Sequence, residues 1–215
     1  MSIKILLADD HQLTREGVRS LLEGEEDIDV VGEAEDGRSA VRLARELRPD
    51  VILMDVCMPD MNGIVATTLI LGENPRIKVI ALSMLDDRRF VSNMLRAGAS
   101  GYLIKDCSFK ELVQAIRRVV ANKIYLSPGI MDVVVKDYLR PPACPDSPYP
   151  SHLTIREKEV LQLVAEGHST SQIAQSLHVS VKTIETHRQN LFTKINAKGI
   201  AGLTKYAIRE GLTSA

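Results

Sequence analysis

Residues 51–63 read VILMDVCMPDMNG, and this stretch decides the fold of the first half of the chain. The four apolar residues at its start are typical of a fully buried strand in a parallel sheet. One acid, Asp55, ends the apolar run, and Pro59 with the Asn62–Gly63 pair then predicts a turn. A carboxylate at the carboxyl end of a buried strand is a candidate functional residue.

The composition excludes several classes of protein. The chain has 215 residues, of which 45% are hydrophobic and 26% charged, which favours two soluble domains. No apolar run reaches the roughly 18 residues of a membrane span, and the N-terminus is too short and acidic for a signal peptide. Three cysteines without CxxC spacing disfavour a disulfide framework or a zinc site. We therefore expect a cytoplasmic protein without a membrane partner.

Charge is distributed unevenly along the chain. Residues 1–138 carry 18 lysines and arginines against 22 aspartates and glutamates, whereas residues 151–215 carry 8 against 5. Four of the five histidines also lie in the second part. A mildly basic second part is the one better suited to bind a polyanion such as DNA, although this signal alone is weak.

Proline content marks the boundary between these parts. Five of the nine prolines fall within residues 140–150. Prolines restrict the backbone and remove donors, which favours an extended, semi-rigid linker. We predict a first domain over residues 1–122, a linker over 123–149 that is proline-rich at 140–149, and a second domain over 150–215.

The first domain alternates apolar strands with helical segments. Its strand candidates are residues 3–8, 28–34, 51–54, 77–82 and 101–104. Apolar residues at helical spacing separate them, which predicts a buried parallel sheet with helices on both faces. The expected fold is α/β, a flavodoxin-like doubly wound (βα)5 domain with strand order 2-1-3-4-5. The second domain has no strand signal and is expected to be all-α. Its predicted helices cover residues 154–166, 170–177, 181–195 and 200–210.

Polar residues gather where the predicted strands end. They are Asp9 and Asp10 after the first strand, Asp55 after the third, Ser83 after the fourth and Lys105 after the fifth. A single aspartate there would usually only cap a loop, but the carboxyl ends of parallel strands share one edge of the sheet. Neighbouring acids are costly unless a hard cation such as Mg2+ neutralises them. Asp55 then becomes a candidate nucleophile that takes up a phosphoryl group.

The segments LLADDH, LMDVCMPDMNG, ALS and GYLIKD together resemble the receiver domain of bacterial two-component response regulators. The resemblance covers about residues 1–122. It implies that Asp55 accepts phosphate from a sensor histidine kinase. It also implies that Asp10, Asp55 and the backbone carbonyl of Cys57 bind Mg2+, with Asp9 assisting through water.

Three further positions match that family. The resemblance implies that Ser83 and Tyr102 are its hydroxyl and aromatic switch residues and that Lys105 is its lysine facing the phosphate. Two positions depart from the pattern. Cys57 stands where asparagine or another residue is often found, which bears on the lifetime of the phosphate. Asp106 replaces the proline that usually follows the lysine, which leaves open whether the peptide bond there is cis.

The second domain contains a helix-turn-helix pattern. Thr154 and Glu157 have the spacing of a capping box, and Gly167 is placed to end that helix. A tight turn at residues 178–180 joins the next two predicted helices, and the second helix of such a pair fits the major groove of DNA. A plain four-helix domain with a solvated polar face has a similar composition and remains an alternative at this point.

Residues 153–195 resemble the LuxR-type DNA-binding domain, and the resemblance extends over about residues 150–215. With the receiver, it implies a NarL/FixJ-type response regulator whose recognition helix covers residues 181–195. The residues implied to face base edges are Glu185, Thr186 and Gln189. Those implied to lie nearer the phosphates are Lys182, Thr183, His187 and Arg188.

We therefore predict a transcription regulator rather than an enzyme. Phosphorylation of Asp55 by a sensor histidine kinase would control binding of a homodimer to double-stranded promoter half-sites, with RNA polymerase as a further partner. One alternative is a DNA-binding regulator that is indifferent to phosphorylation. Another is an Mg2+-dependent phosphohydrolase, which is disfavoured because such enzymes commonly place a general-acid carboxylate where this chain has Cys57.

Overall fold

The chain divides into two compact units, residues 1–139 and 140–215. The structure, a computed structural model, describes residues 2–84, 88–139 and 153–213. The proline-rich part of the predicted linker lies outside the described residues. Within the described part of the chain, no helix combines the length and the apolar character that crossing a membrane requires.

The first unit contains a sheet of six parallel strands. They are β1 (Ile3–Ala8), β2 (Ile28–Ala34), β3 (Val51–Asp55), β4 (Lys78–Ser83), β5 (Gly101–Ile104) and β6 (Tyr125–Leu126). The strand order is β2-β1-β3-β4-β5-β6. The predicted order of the first five strands is therefore confirmed, and β6 extends the sheet beyond it.

Helices cover both faces of this sheet. They are α1 (Gln12–Leu22), α2 (Gly37–Leu47), α3 (Gly63–Glu73), α4 (Arg88–Arg96), α5 (Phe109–Val120) and α6 (Pro128–Tyr138). Successive strand residues point to opposite faces, so Leu6 and Ile52 enter one core with α2, α3 and α4, while Ile5 and Leu53 enter a second core with α1 and α5. The doubly wound fold predicted from the sequence is confirmed.

The chain returns sharply after β3, and this return fixes the end of the strand. The side chain of Asn62 caps α3 by accepting from the Val65 N–H at 2.9 Å. Gly63 begins the helix so close to the strand that an added Cβ would overlap the carbonyl oxygen of Asp55. Only glycine allows this approach, so the Asn62–Gly63 pair holds the loop against Asp55.

Residues 123–139, assigned to the linker from the sequence, form part of the first unit in the structure. The Ser127 N–H donates to the Tyr102 carbonyl at 3.0 Å, which pairs β6 with β5. The Ser127 hydroxyl donates to Glu111 Oε1 at 2.8 Å. Ile130 of α6 is fully buried in the same core as Met94 and Tyr102. A two-residue strand is too short to show a hydrophobic period, which explains why the sequence pattern did not reveal it.

The second unit is helical, as predicted. Its described helices are α7 (Ile155–Ala165), α8 (Thr170–Ser176), α9 (Val181–Ile195) and α10 (Ile200–Arg209). Thr154 and Glu157 form the predicted capping box, and Gly167 has a positive φ of 90° just after α7. Ile184 and Leu191 of α9 are fully buried, which holds the helix against the rest of the unit.

Candidate functional site

The acidic pocket of the first unit lies at the carboxyl edge of the sheet. Asp55 is the last residue of β3, and Asp9 directly follows β1, whose final residue Ala8 pairs with Met54. Asp9 and Asp55 are only 5% and 4% exposed. Asp10 is exposed at the rim. The sheet register therefore puts two buried carboxylates side by side, with a third at the surface.

Lys105 bridges the two buried carboxylates. Its Nζ lies 2.6 Å from Asp9 Oδ2 and 2.7 Å from Asp55 Oδ2. Burial disfavours the ammonium, but the interactions with Asp55 and Asp9 outweigh burial and raise the pKa of Lys105. Burial also raises the pKa of Asp55, against the hydrogen bond from Lys105. One cation therefore serves two acids, and the pocket retains negative charge.

The pocket fits a divalent cation. Ligand atoms of Asp9, Asp10, His11 and Asp55 all lie within 4.8 Å of one another. Asp9 Oδ2 faces Lys105 Nζ, while Asp9 Oδ1 accepts from the His11 N–H at 2.9 Å. Hard cations prefer carboxylate and carbonyl oxygens, which this pocket supplies. His11, whose Nδ1 lies 2.8 Å from Asp10 Oδ1, was missed by the sequence analysis although it directly follows the two acids.

Cys57 lies beside this pocket as a protonated thiol. Its N–H donates to Asp55 Oδ1 at 3.2 Å, which helps to orient that carboxylate. Burial and the charge of Asp55 raise the pKa of the Cys57 thiol to about 11. Thiol chemistry proceeds through the thiolate, so this environment disfavours a redox role. The peptide bond between Lys105 and Asp106 is trans, which answers the question raised by the missing proline.

The two predicted switch residues end up on neighbouring strands. Ser83 is the last residue of β4 and is 1% exposed. Tyr102 in β5 pairs with Ala81, two residues before Ser83, and is fully buried. Its ring belongs to the core that also contains Phe90 and Ile130. Both side chains therefore lie inside the unit in this structure.

Helix α9 presents a polar face to solvent. Its N-terminus is capped by Ser180, whose hydroxyl accepts from the Thr183 N–H at 3.1 Å. The seven predicted DNA-binding residues are all accessible in part or in full. Lys182, Glu185, Thr186 and Gln189 are exposed, and Thr183, His187 and Arg188 are half-buried. The face is thus available to a ligand that enters from the solvent side of the helix.

A shallow hollow of about 530 Å3 lies on this face, between α8 and α9. The residues that line it are Thr170, Glu185, Arg188, Gln189, Phe192 and Thr193. Arg188 Nη1 donates to Thr170 Oγ1 at 2.7 Å. Thr170 was not singled out from the sequence, because no spacing rule connects residues 18 positions apart on different helices.

Comparison with known proteins identifies both units. The response regulator receiver domain family matches residues 5–117, and the family of bacterial regulatory proteins of the luxR type matches residues 151–207. The response regulator GacA of Pseudomonas aeruginosa is 38% identical over 213 residues, which cover 99% of each protein.

Solved structures agree with this assignment. A LuxR-family two-component response regulator from Aurantimonas sp. SI85-9A1 is 36% identical, with a TM-score of 0.62 over 65% of this chain and 100% of that chain. The response regulator RcsB in its complex with DNA is 26% identical, with a TM-score of 0.61 over 98% of this chain and 99% of that chain.

The chain belongs to the NarL/FixJ-type family of two-component response regulators. It combines a receiver with a LuxR-type DNA-binding domain, and its relatives are transcription regulators rather than enzymes.

Proposed function

We propose that Asp55 is the phosphate acceptor of this regulator and that its phosphorylation by a sensor histidine kinase controls DNA binding. The observation that carries the proposal is the pairing of buried Asp55 with Lys105 Nζ at 2.7 Å. Asp9, the second buried carboxylate that Lys105 contacts, lies at the same edge of the sheet. A nucleophilic carboxylate, a cation and spare acidic ligands are the parts that phosphoryl transfer to an aspartate requires.

In the transfer step, a carboxylate oxygen of Asp55 attacks the phosphorus of a phosphohistidine on the kinase. The P–N bond breaks, the histidine leaves, and an acyl phosphate forms on Asp55. Asp9, Asp10, Asp55 and the Cys57 carbonyl would hold Mg2+, which supplies positive charge to the phosphoryl oxygens. Lys105 exchanges its contact with the Asp55 carboxylate for one with the phosphoryl group.

The response proceeds through the two switch residues. The Ser83 hydroxyl donates a hydrogen bond to the phosphoryl group, and Tyr102 shifts with it, which biases the surface formed by α4, β5 and α5. The position of Ser83 at the end of β4, two residues beyond the partner of Tyr102, supports this coupling.

The output is sequence-specific binding of double-stranded DNA by a homodimer. Glu185, Thr186 and Gln189 read base edges, and Lys182, Thr183, His187 and Arg188 contact the backbone phosphates. The match to the RcsB–DNA complex along nearly the whole chain supports this role. Because its proposed targets are chromosomal promoters, the protein would act in the cytoplasm, with RNA polymerase as a further partner.

Phosphorylation and genome-wide DNA binding of wild type and Asp55→Asn test the proposal. Wild type should take up one stable phosphate per chain from an acyl phosphate donor in the presence of Mg2+, and its set of bound promoters should change. The Asp55→Asn variant should do neither. Asp29→Asn, at an exposed aspartate of β2, is the matched control and should behave as wild type. Identical binding maps for wild type and Asp55→Asn would instead favour a regulator indifferent to phosphorylation, and rapid turnover of the donor would favour a phosphohydrolase.

A further inference from the structure

The polar contacts of Arg188 differ from those expected of an exposed arginine on a recognition helix. Among the described residues, its hydrogen-bond partner is Thr170 Oγ1 on α8, at 2.7 Å. Arginine has five N–H donors in a planar fork, so this bond leaves donors for a second ligand. The bond restrains one end of the fork, because the acceptor belongs to a different helix.

An obvious competing partner for Arg188 lies close by. Glu185 precedes Arg188 by three residues on α9, and residues at that spacing are neighbours on a helix surface. Both side chains line the hollow, but no ion pair joins them in the described part of the chain, where Arg188 instead donates to Thr170. Glu185 remains exposed, and so does Gln189 on the same rim. Among the described residues, Arg188 is thus bonded to Thr170 of α8 rather than paired with the acid on its own helix.

We propose that Thr170 is a positioning residue for DNA recognition, which sets the orientation of Arg188 and thereby the freedom of Glu185 to read bases. The inference rests on the proposed DNA-reading role of α9 and extends it to a residue on the supporting helix. Arg188 is ordered when the unit folds rather than when DNA binds, which lowers the entropy cost of the complex. Without the hydroxyl of Thr170, the guanidinium of Arg188 is free to pair with Glu185. That ion pair would make both side chains unavailable to DNA.

A double-mutant cycle tests the proposal on the full-length protein. The probes are a DNA duplex selected by the wild-type chain from a random pool and a scrambled duplex of the same composition. Arg188→Ala should weaken binding to the selected duplex about tenfold and reduce the slope of log affinity against log salt by about 0.9, as expected for one lost phosphate contact. Thr170→Val should weaken binding to the selected duplex by about threefold to tenfold and reduce its preference over the scrambled one.

The double variant distinguishes positioning from a general effect on folding. If Thr170 acts through Arg188, then Thr170→Val combined with Arg188→Ala should bind no more weakly than Arg188→Ala alone. Thr170→Ser, which keeps the hydroxyl, should bind as wild type, and thermal unfolding checks that each variant is folded. Additive losses, an equal loss in Thr170→Ser, or a Thr170→Val variant with wild-type affinity and preference would overturn the proposal. Each outcome can be measured whether or not DNA binding depends on phosphorylation of Asp55. Failure of this proposal can therefore be distinguished from failure of the proposed function.

Discussion

The acidic pocket and the polar face of α9 both depend on charged and polar side chains, but the first buries them and the second exposes them. Side-chain exposure is 8% for Asp9, 5% for Asp55 and 10% for Lys105, whereas Lys182 and Gln189 are exposed. Buried charges interact strongly and are costly to leave unpaired, whereas exposed charges are screened by water and salt. Single substitutions should therefore have large effects in the pocket and small ones on the helix.

The largest effect is expected for Lys105→Met. This change removes the cation that Asp9 and Asp55 share, which we propose to face the phosphoryl group during transfer. The rate of phosphorylation from an acyl phosphate donor should fall by about 100-fold to 1000-fold, the range typical for loss of one preorganised charged donor. Lys110→Met, at an exposed lysine of α5, should phosphorylate normally. A Lys105→Met variant that matched the wild-type rate would contradict the expectation that substitutions in the buried pocket have large effects.

Ile130→Ala tests whether α6 belongs energetically to the receiver. The Ile130 side chain is fully buried with Met94 and Tyr102. The change should lower the free energy of unfolding of the first unit by about 3 kcal/mol, because it removes buried methyl groups and leaves a cavity. Met131→Ala, one residue further along α6 at a side chain that is 53% exposed, should cost less than about 0.5 kcal/mol in the same denaturant titration. Equal effects of the two changes would show that α6 is only loosely attached.

Glu157→Gln probes a buried charge within the DNA-binding unit. Burial acts to raise the pKa of Glu157, but Lys194, at 2.7 Å, and Thr154 outweigh it, and the net pKa is lowered. The stabilisation is therefore present above the ordinary carboxyl pKa of about 4.3 and is lost as pH falls through the lower folded value. At neutral pH, the free energy of unfolding of the variant should be about 2 kcal/mol lower than that of wild type.

The difference in free energy of unfolding between wild type and Glu157→Gln should disappear as the solution is acidified below the ordinary carboxyl pKa. Thermal unfolding of both across the pH range measures it. A gap that persisted unchanged in acid would assign the effect of Glu157→Gln to packing rather than to charge.

The smallest effect is expected for Lys182→Ala on the exposed face of α9. Binding should weaken only a few-fold, to a similar degree for all sequences, and the salt slope should fall by about 0.9, since one phosphate contact is lost. Lys198→Ala, at an exposed lysine between α9 and α10, serves as the control and should leave the slope unchanged. A sequence-dependent loss in Lys182→Ala would instead assign the residue to base reading.

The sequence was sufficient to predict the first five strands, the helices of the second unit and the edge at which the acids meet. These features depend on local periodicity and on strand order. Both can be recognised in the sequence from apolar runs and from the polar residues that end them, such as Asp55. The apolar runs that precede Asp9 and Asp55 are long enough to mark where each strand ends. The same reasoning placed Lys105 at that edge without any knowledge of distances.

Other features depend on packing between distant segments and leave no such pattern. The sharing of Lys105 between two acids required the register of three strands, and the bond from Arg188 to Thr170 required the angle between two helices. Residues 123–139 were assigned to the linker because the receiver resemblance ended near residue 122 and a two-residue strand shows no hydrophobic period. Their role in the first unit depends on single contacts such as that of Ser127 with Glu111.

Strand β6 also covers a strand edge of the receiver that would otherwise be open to pairing with another chain. It covers the outer edge of β5, where the carbonyls of Ser100 and Tyr102 accept from the N–H groups of Tyr125 and Ser127. Bare apolar strand edges are templates for pairing with another chain, and a very short terminal strand is a common protection. A receiver fragment cut at residue 122 should therefore aggregate more readily than one that ends at residue 139.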